Sequence, residues 1–477
     1  MTRPTTVVWF RRDLRPDDHP ALAAAAGDGP VVPLFVVDDA LVARAGPNRR
    51  RFLAGALRAL DRDLGGGLVL RRGDPRRVVP AVAAEARAAE VVVTADAGPT
   101  GRSRDLAVAR ALADDGRGLR AVGSPYAVTP GTLRSGTGRS YQVFTAFHRA
   151  WLRHGWPLPA PDPVAGTGLV DMVALDGDVD SGVLEEQSAD PTRAGLPSWW
   201  EGLPLGPSPE FPVAGAAAAR DLLDRFLAGP LDVYASDRDL PGTSGTSGLS
   251  PHLRFGCVHP RTVLARLGTG TGPGPERFRA ELAWREFCAD VLRHRPDATS
   301  RSLAGFGDHL RTDDGPRARE RFAAWATGRT GYPLVDAGMR QLLAEGWMHN
   351  RVRMVTASFL VKDLHLDWRW GARWFLWHLV DGDPASNQLG WQWVAGTGTD
   401  AAPFHRVLNP TLQQERFDPD GTYVRRYLGG PTSGVGPVVD HAAERREALA
   451  RVADARLAAA AVREGDPEDG GSDRRGG

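Results

Sequence analysis

The stretch TVVWFRRDLRPDDHPAL, residues 6–22, sets the reading of the first third of the chain. Its opening run TVVWF (6–10) is too short for a buried helix and is cut off by charge, which predicts a strand. Similar runs follow at VVPLFVV (31–37), LVL (68–70) and VVV (91–93), separated by Ala/Arg/Leu-rich segments near 49–64, 77–90 and 101–114. Strands alternating with helical segments predict an α/β domain with a parallel, Rossmann-like sheet. The turn after the first strand, RRDLRPDDHPAL, carries no GxGxxG, so the usual dinucleotide fingerprint is missing and a plain nicotinamide dehydrogenase is disfavoured.

The remainder is organised differently. From about 155 to 212 the chain is rich in Pro and Gly (GWPLPAPDPVAGTG, GLPLGPSPEFP), which predicts a long interdomain connection. Beyond it AAAARDLLDRFLAG, PERFRAELAWREFCADVLRHR, PLVDAGMRQLLAEG and HNRVRMVTASFLVKDL space apolar residues by three and four, so the second domain is expected to be all-α. We therefore expect an α/β domain over 1–135, a linker over 150–212, a helical domain over 213–440 and a tail over 441–477. That tail starts helix-like and fades into EGDPEDGGSDRRGG, a composition that predicts disorder.

Composition excludes several classes. With 477 residues, 42% of them hydrophobic, the chain can bury large cores. The N-terminus matches neither a secretory signal nor a membrane span, which makes a cytoplasmic location the expectation. Cys257 and Cys288 are too few for a disulfide framework or a four-cysteine zinc site, and no histidine grouping has metal-ligand spacing. Lys and Arg total 59 against 58 Asp and Glu, so any nucleic-acid binding must be local. Lys362 is the only lysine, a compositional bias towards Arg.

Three segments carry chemistry. In DGDPASNQLGWQW (381–393), Asp381, Asp383, Asn387 and Gln388 stand beside Trp391 and Trp393. Buried carboxylates and amides need partners, which a large ring system bearing hydroxyls and heteroatom edges would supply. Asp383 before Pro384 reads equally as a helix N-cap, and both readings can hold together. GTSGLSPHLRFG (245–256) sets small hydroxylated residues and glycines ahead of a helix, a weak signal for a phosphate cradle. ELAWREF (281–287) places Glu281, Trp284 and Arg285 on one helical side, which also describes an intrahelical ion pair beside a core tryptophan. Nine of the 14 tryptophans fall between Trp284 and Trp393. Trp370, Trp374 and Trp377, at i, i+4 and i+7, read as core.

Together with WFRRDLR (9–15), YQVFTAF (141–147), GRTGYPLVDAGMRQL (328–342) and GWMHNRVRMVTASFLVKDL (346–364), these segments resemble the DNA photolyase/cryptochrome family, in particular its cyclobutane pyrimidine dimer photolyases. The resemblance runs to about residue 430. It implies a helical domain that holds FAD, and a reaction in which blue light excites reduced FAD, an electron passes to a dimer flipped out of UV-damaged DNA, the ring opens and the electron returns. By the same resemblance Tyr234 and Thr246, Ser247, Gly248, Leu249 and Ser250 hold the FAD phosphates and ribityl chain. Asp381, Gly382 and Asp383 lie along the cofactor, Asn387 sits by the flavin and Arg353 supplies charge. Glu281, Trp284, Arg285, Asn350, Arg351, Met354 and Trp393 contact the dimer or its DNA, with Glu281 and Asn387 acting in catalysis. Relatives that act on (6-4) photoproducts place a histidine where Met354 stands, which favours dimer splitting. A monomer with no obligate protein partner is expected.

The pattern is departed from in places. Trp391 and Trp368 match the inner and middle members of the family's electron-transfer chain, but the outer position is Gly315 and no tryptophan lies between 285 and 324. Ala280 precedes Glu281 where relatives carry a small polar group, and Cys288 stands where many have tyrosine. TADAGPTGRSRD (94–105) keeps Asp96 and Arg104 of an antenna site, so a second chromophore is expected, deazaflavin ahead of folate. The competing reading is a cryptochrome-like light sensor that signals without repair.

Overall fold

The computed structural model describes residues 3–163, 175, 177, 182–186, 195–399, 406–429 and 436–464. The predicted strands form as β1 (Thr6–Phe10), β2 (Val31–Val37), β3 (Val69–Arg72) and β4 (Glu90–Val93), joined by a fifth, β5 (Gly118–Ala121), that sequence reading missed. That strand is GLRA, half-exposed at the sheet edge, so no apolar run marks it. All neighbours are parallel, in the order β3-β2-β1-β4-β5. The two-residue period sends Val7 and Trp9 to one face of β1 and Val8 and Phe10 to the other. The first pair joins a core beneath the sheet, the second a larger core continuous with the helical half.

The helical half is built on Pro273–His294, Pro333–Glu345, Asn350–Ser358, Trp368–His378 and Pro384–Ala395. All five have Pro near the start or Asp or His as a capping acceptor, as helix entry chemistry requires. HNRVRMVTASFLVKDL is not one regular helix. After Ser358 it widens into a π-turn, Phe359–Asp363. The wider turn takes Lys362 and Asp363 inside, where the lysine ammonium donates to the Arg406 carbonyl and Asp363 meets His441. Burial pushes the Lys362 ammonium down to about 8.

Two segments flank or extend the helical half. Just ahead of the Pro/Gly-rich connection a helix over Phe144–His154 buries Phe147 and Trp151, and within the connection Trp200 is buried in the second helical core. The segment from 441 begins as a helix, His441–Glu464, whose Ala448, Val452 and Ala455 are buried. Ion pairs from His365 to Glu444 (2.6 Å) and from Arg451 to Asp313 (2.6 Å) fix it. The EGDPEDGG stretch predicted to be disordered lies outside the described residues apart from its first glutamate. No described helix is long and apolar enough to cross a membrane.

Candidate functional site

Asp381 lies in the turn between the helices Trp368–His378 and Pro384–Ala395, and three separate motifs meet on it. Ser250 Oγ donates to its Oδ2 (2.7 Å), Arg353 Nη2 pairs with the same oxygen (2.8 Å), and Trp347 Nε1 donates to Ser250 Oγ (3.2 Å). The other oxygen, Oδ1, is buried with no partner, as is the Trp391 indole N–H. A buried polar atom without a partner costs about 1–3 kcal/mol, so each marks a place where a ligand group fits. Ser250 is thus the first helical residue, bonded to Asp381 rather than capping the helix Ser250–Phe255.

Asp383 is the helix N-cap that its place before Pro384 predicts. One oxygen caps the following helix through Ala385 N (3.0 Å) and Ser386 N (3.2 Å), and the other pairs with Arg12 (2.8 Å) from the loop after β1. Burial alone would raise its carboxyl, but Arg12, Arg254 and Arg285 hold it well below the usual carboxylate range. Asp383 therefore clamps the two halves of the molecule together. Gly382 is held within the helical half, its carbonyl accepting from Arg254 Nε (3.0 Å).

Asn387 is fixed by donating to the Ala372 carbonyl (3.0 Å) and Gln388 Oε1 (2.8 Å). One turn on, Trp391 is buried against Phe375 (5.0 Å between ring centroids) and Trp325 (6.1 Å). It packs over Gly371, where a β-carbon would lie 2.1 Å from the indole. Gly371→Ala is expected to cost about 1–3 kcal/mol through overpacking, read from urea unfolding, and wild-type stability would show that the two helices are not held in this contact.

Glu281 pairs with Arg238 and, one turn back, with Arg277 (3.5 Å). Arg238 faces Asp239 (3.8 Å), which pairs with Arg351 (3.0 Å) on the helix Asn350–Ser358. A chain of alternating charge thus joins Glu281 to Arg351 across 70 residues of sequence. Arg238 and Asp239 were missed by sequence reading. The run YASDRD gives a charge cluster but no sign of its distant partners. Tyr234 is buried against Phe226 and Phe278, and burial together with Glu281 raises its hydroxyl pKa. Among the loop residues, Gly248 takes a left-handed φ of +66°, Leu249 is buried, Ser247 Oγ accepts from Leu249 N (3.4 Å), and Thr246 is half-buried.

Trp284 stacks on Phe144 at 3.7 Å and 9° and remains half-exposed, so one face is covered and the ring still reaches solvent. Met354 and Arg351 are half-buried, Asn350 is exposed and Trp393 is 37% exposed. Arg285 donates to the Pro125 carbonyl (3.2 Å) and the Leu253 carbonyl (3.1 Å) and lies 4.5 Å over Tyr126, bracing the domain interface. It makes no pair with Glu281, as the intrahelical alternative would have required.

A cavity of about 520 Å³ opens at the carboxyl ends of β1 and β4, where the strand order reverses, the usual ligand position in such sheets. Trp9, Asp96 and Arg104 line its sheet side, and Arg254, Asp383 and Ala385 its helical side. Asp96 pairs with Arg104 (3.4 Å) above Gly101, where a β-carbon would collide with the carboxylate. His349 and His365 serve structure, the first capping a helix and the second pairing with Glu444. No cluster able to hold a metal occurs among the described residues.

A parallel α/β domain clamped to a helical domain through Arg12 and Asp383, with a buried carboxylate oxygen and indole N–H that have no partner among the described residues, has the two-domain form and polar interior of a cofactor-binding protein. Comparison with known proteins gives the family. Residues 6–164 match the DNA photolyase model and 278–431 the FAD binding domain of DNA photolyase. The deoxyribodipyrimidine photo-lyase of Halobacterium salinarum is 39% identical, covering 93% of this chain and 97% of its own. A bacterial class III photolyase from Agrobacterium tumefaciens superposes with a TM-score of 0.83 at 36% identity, covering 96% of this chain and 98% of that one. An archaeal photolyase from Sulfolobus tokodaii, solved with two FAD molecules, gives 0.78 at 27% identity over 94% and 100%. The chain belongs to the DNA photolyase family, and its helical half is an FAD-binding domain.

Proposed function

We propose that the chain is a light-dependent carbon–carbon lyase that splits cyclobutane pyrimidine dimers in UV-damaged DNA, acting as a monomer. The observation that carries this reading is the charge chain from Glu281 through Arg238 and Asp239 to Arg351, which begins one helical turn from the partly exposed Trp284. Bound FAD supplies the light-driven electron. The chain supplies the rest. Ser250, Arg353 and the free oxygen of Asp381 suit the cofactor's hydroxyls and phosphates, and Asn387, held by Ala372 and Gln388, presents a neutral amide at the flavin ring.

On the open side, the exposed part of Trp284 and the partly exposed Trp393 replace the stacking that a flipped-out dimer loses. Met354 fills the apolar side of that pocket. Glu281 and Arg238 offer an acceptor and donors to the base edges, and Arg351 and Asn350 lie where the DNA strand passes. The cavity at the sheet's reversal point suits a second ring chromophore, deazaflavin ahead of folate, separated from the cofactor side by Asp383 and Arg254.

The test is direct. Chemically reduced, anaerobic protein is mixed with a thymine-dimer oligonucleotide, and restored bases are counted after blue light and in darkness. Light-dependent restoration is expected. None, with FAD bound and reduced, would favour a light sensor acting through a partner. Glu281→Ala is expected to lower repair roughly five- to tenfold, the worth of one hydrogen bond made to the reacting pair. Unchanged repair in that variant would remove Glu281 from the dimer pocket.

A further inference from the structure

Five indoles surround one phenyl ring. Phe322 lies 5.1 Å from Trp199, 5.5 Å from Trp200, 5.5 Å from Trp325, 5.9 Å from Trp370 and 5.8 Å from Trp374, measured between ring centroids. Trp325 in turn stands 6.1 Å from Trp391, and Trp199 lies 4.7 Å from Trp370. An unbroken series of rings therefore leads from Trp391 to Trp199 and Trp370, both of which are half-exposed.

Trp368 offers a poorer continuation. It takes part in no ring pair among the described residues, and the Arg369 guanidinium lies 5.1 Å from its ring, where it raises the cost of a positive charge on that indole. No tryptophan follows it between residues 285 and 324.

We propose that an electron hole formed on Trp391 leaves through Trp325 and the indole cluster around Phe322 and comes to rest on the Trp199–Trp370 pair. The proposal rests on the reading that FAD lies against Trp391. The electron count is simple. FAD held against Trp391 would, when oxidised and excited, accept one electron from that indole; Trp325 returns one to Trp391, and the Trp199–Trp370 pair returns one to Trp325. Phe322 is too hard to oxidise to hold the hole itself and acts as a bridge. The terminal indole radical cation releases its N–H proton to water, and a thiol in solution then returns a hydrogen atom, itself oxidised to a thiyl radical.

Solvation sets the direction. Trp325 is fully buried, where a charge is costly, whereas the half-exposed pair is partly hydrated. The Trp325 N–H donates to the Thr356 carbonyl (3.0 Å), so its proton has no route to water and the hole stays mobile there. At Trp199, Arg319 lies 5.8 Å from the ring; it opposes a positive charge there as Arg369 does at Trp368, at a somewhat longer distance, and so drives loss of the proton once the hole arrives.

The experiment uses the FAD-loaded full chain, oxidised, under blue light with a thiol. Flavin reduction is followed by absorbance, and the tryptophan radical by transient absorption. Trp325→Phe and the double variant Trp199→Phe/Trp370→Phe are each expected to slow reduction by on the order of tenfold or more and to remove the long-lived neutral tryptophan radical. The double variant alters half-exposed rings, so it remains informative should Trp325→Phe unfold. Bound FAD, read from its absorbance, checks loading. A wild-type rate and radical in the double variant, with both lost in Trp368→Phe, would overturn the proposal. A wild-type rate in Trp391→Phe overturns instead the placement of FAD against Trp391, and the route with it.

Discussion

Replacing Glu286 by alanine is expected to cost the fold about 3–5 kcal/mol, a large share of the about 5–15 kcal/mol typical of a domain. Glu286 is 1% exposed, yet it accepts from Ala127 N (2.5 Å), Val128 N (3.0 Å) and Trp151 Nε1 (2.7 Å). The first two donors belong to the chain leaving the sheet, and the third to the helix Phe144–His154. Truncation leaves all three N–H groups buried and unpartnered. Glu286→Gln keeps the shape but turns one acceptor into a donor that faces other donors, so an intermediate loss is expected. Urea unfolding at neutral pH followed by circular dichroism measures both, and a loss below about 1 kcal/mol for the alanine variant would mean that water or a shifted backbone satisfies the three donors. The consequence reaches the site, because Glu286 sits between Trp284 and Phe287 on the helix that carries Glu281.

Mild acid should destabilise the protein through its buried histidines. His252, His259, His349 and His378 are each at most 3% exposed. Burial pushes three of them down, His252 and His349 to about 4 and His378 to about 3, and holds His259 well below its ordinary value. In the unfolded chain these rings take up protons near pH 6.5, while the folded state refuses them. Their contribution to stability is therefore complete above about pH 6.5 and falls away as the pH drops towards 4, by up to about 1.4 kcal/mol per pH unit for each ring. Two of them also cap helices, His259 accepting from Arg261 N (3.0 Å) and His349 from Arg351 N (3.2 Å), roles that a protonated ring cannot fill. Asp383 does not mask the effect. Its depressed carboxyl contributes stability above about pH 3.8 that is lost only in stronger acid. The urea midpoint should drop markedly between pH 7.5 and pH 5.5, and His378→Phe, beside Trp374, should flatten that dependence. An unchanged midpoint over this interval would show that the histidines are hydrated in the folded state.

Much of the fold could be read from period and punctuation. Four of the five strands, the parallel sheet and the helical second half follow from apolar runs of the right length, because burial on both faces of a parallel sheet leaves a continuous apolar signature. The Asp383–Pro384 cap was legible for a similar reason, since capping is a contact between near neighbours. β5 was not legible because an edge strand needs no apolar run. The π-turn at Phe359–Asp363 was hidden because its cause, polar partners at Arg406 and His441, lies far along the chain.

By itself, then, the sequence determined what local physics and motif order can encode: the two fold classes, the helix caps, the family resemblance and the set of residue types available to the site. Only the tertiary structure decided how those residues are used. It made Asp383 and Arg285 interface clamps, joined Glu281 to Arg351 through Arg238 and Asp239, and gathered Trp199, Trp200, Trp325, Trp370 and Trp374 around Phe322. The reason is physical. A buried charge or ring is defined by the partner that meets it, and here the partners lie tens to hundreds of residues apart, at separations that neither period nor propensity records.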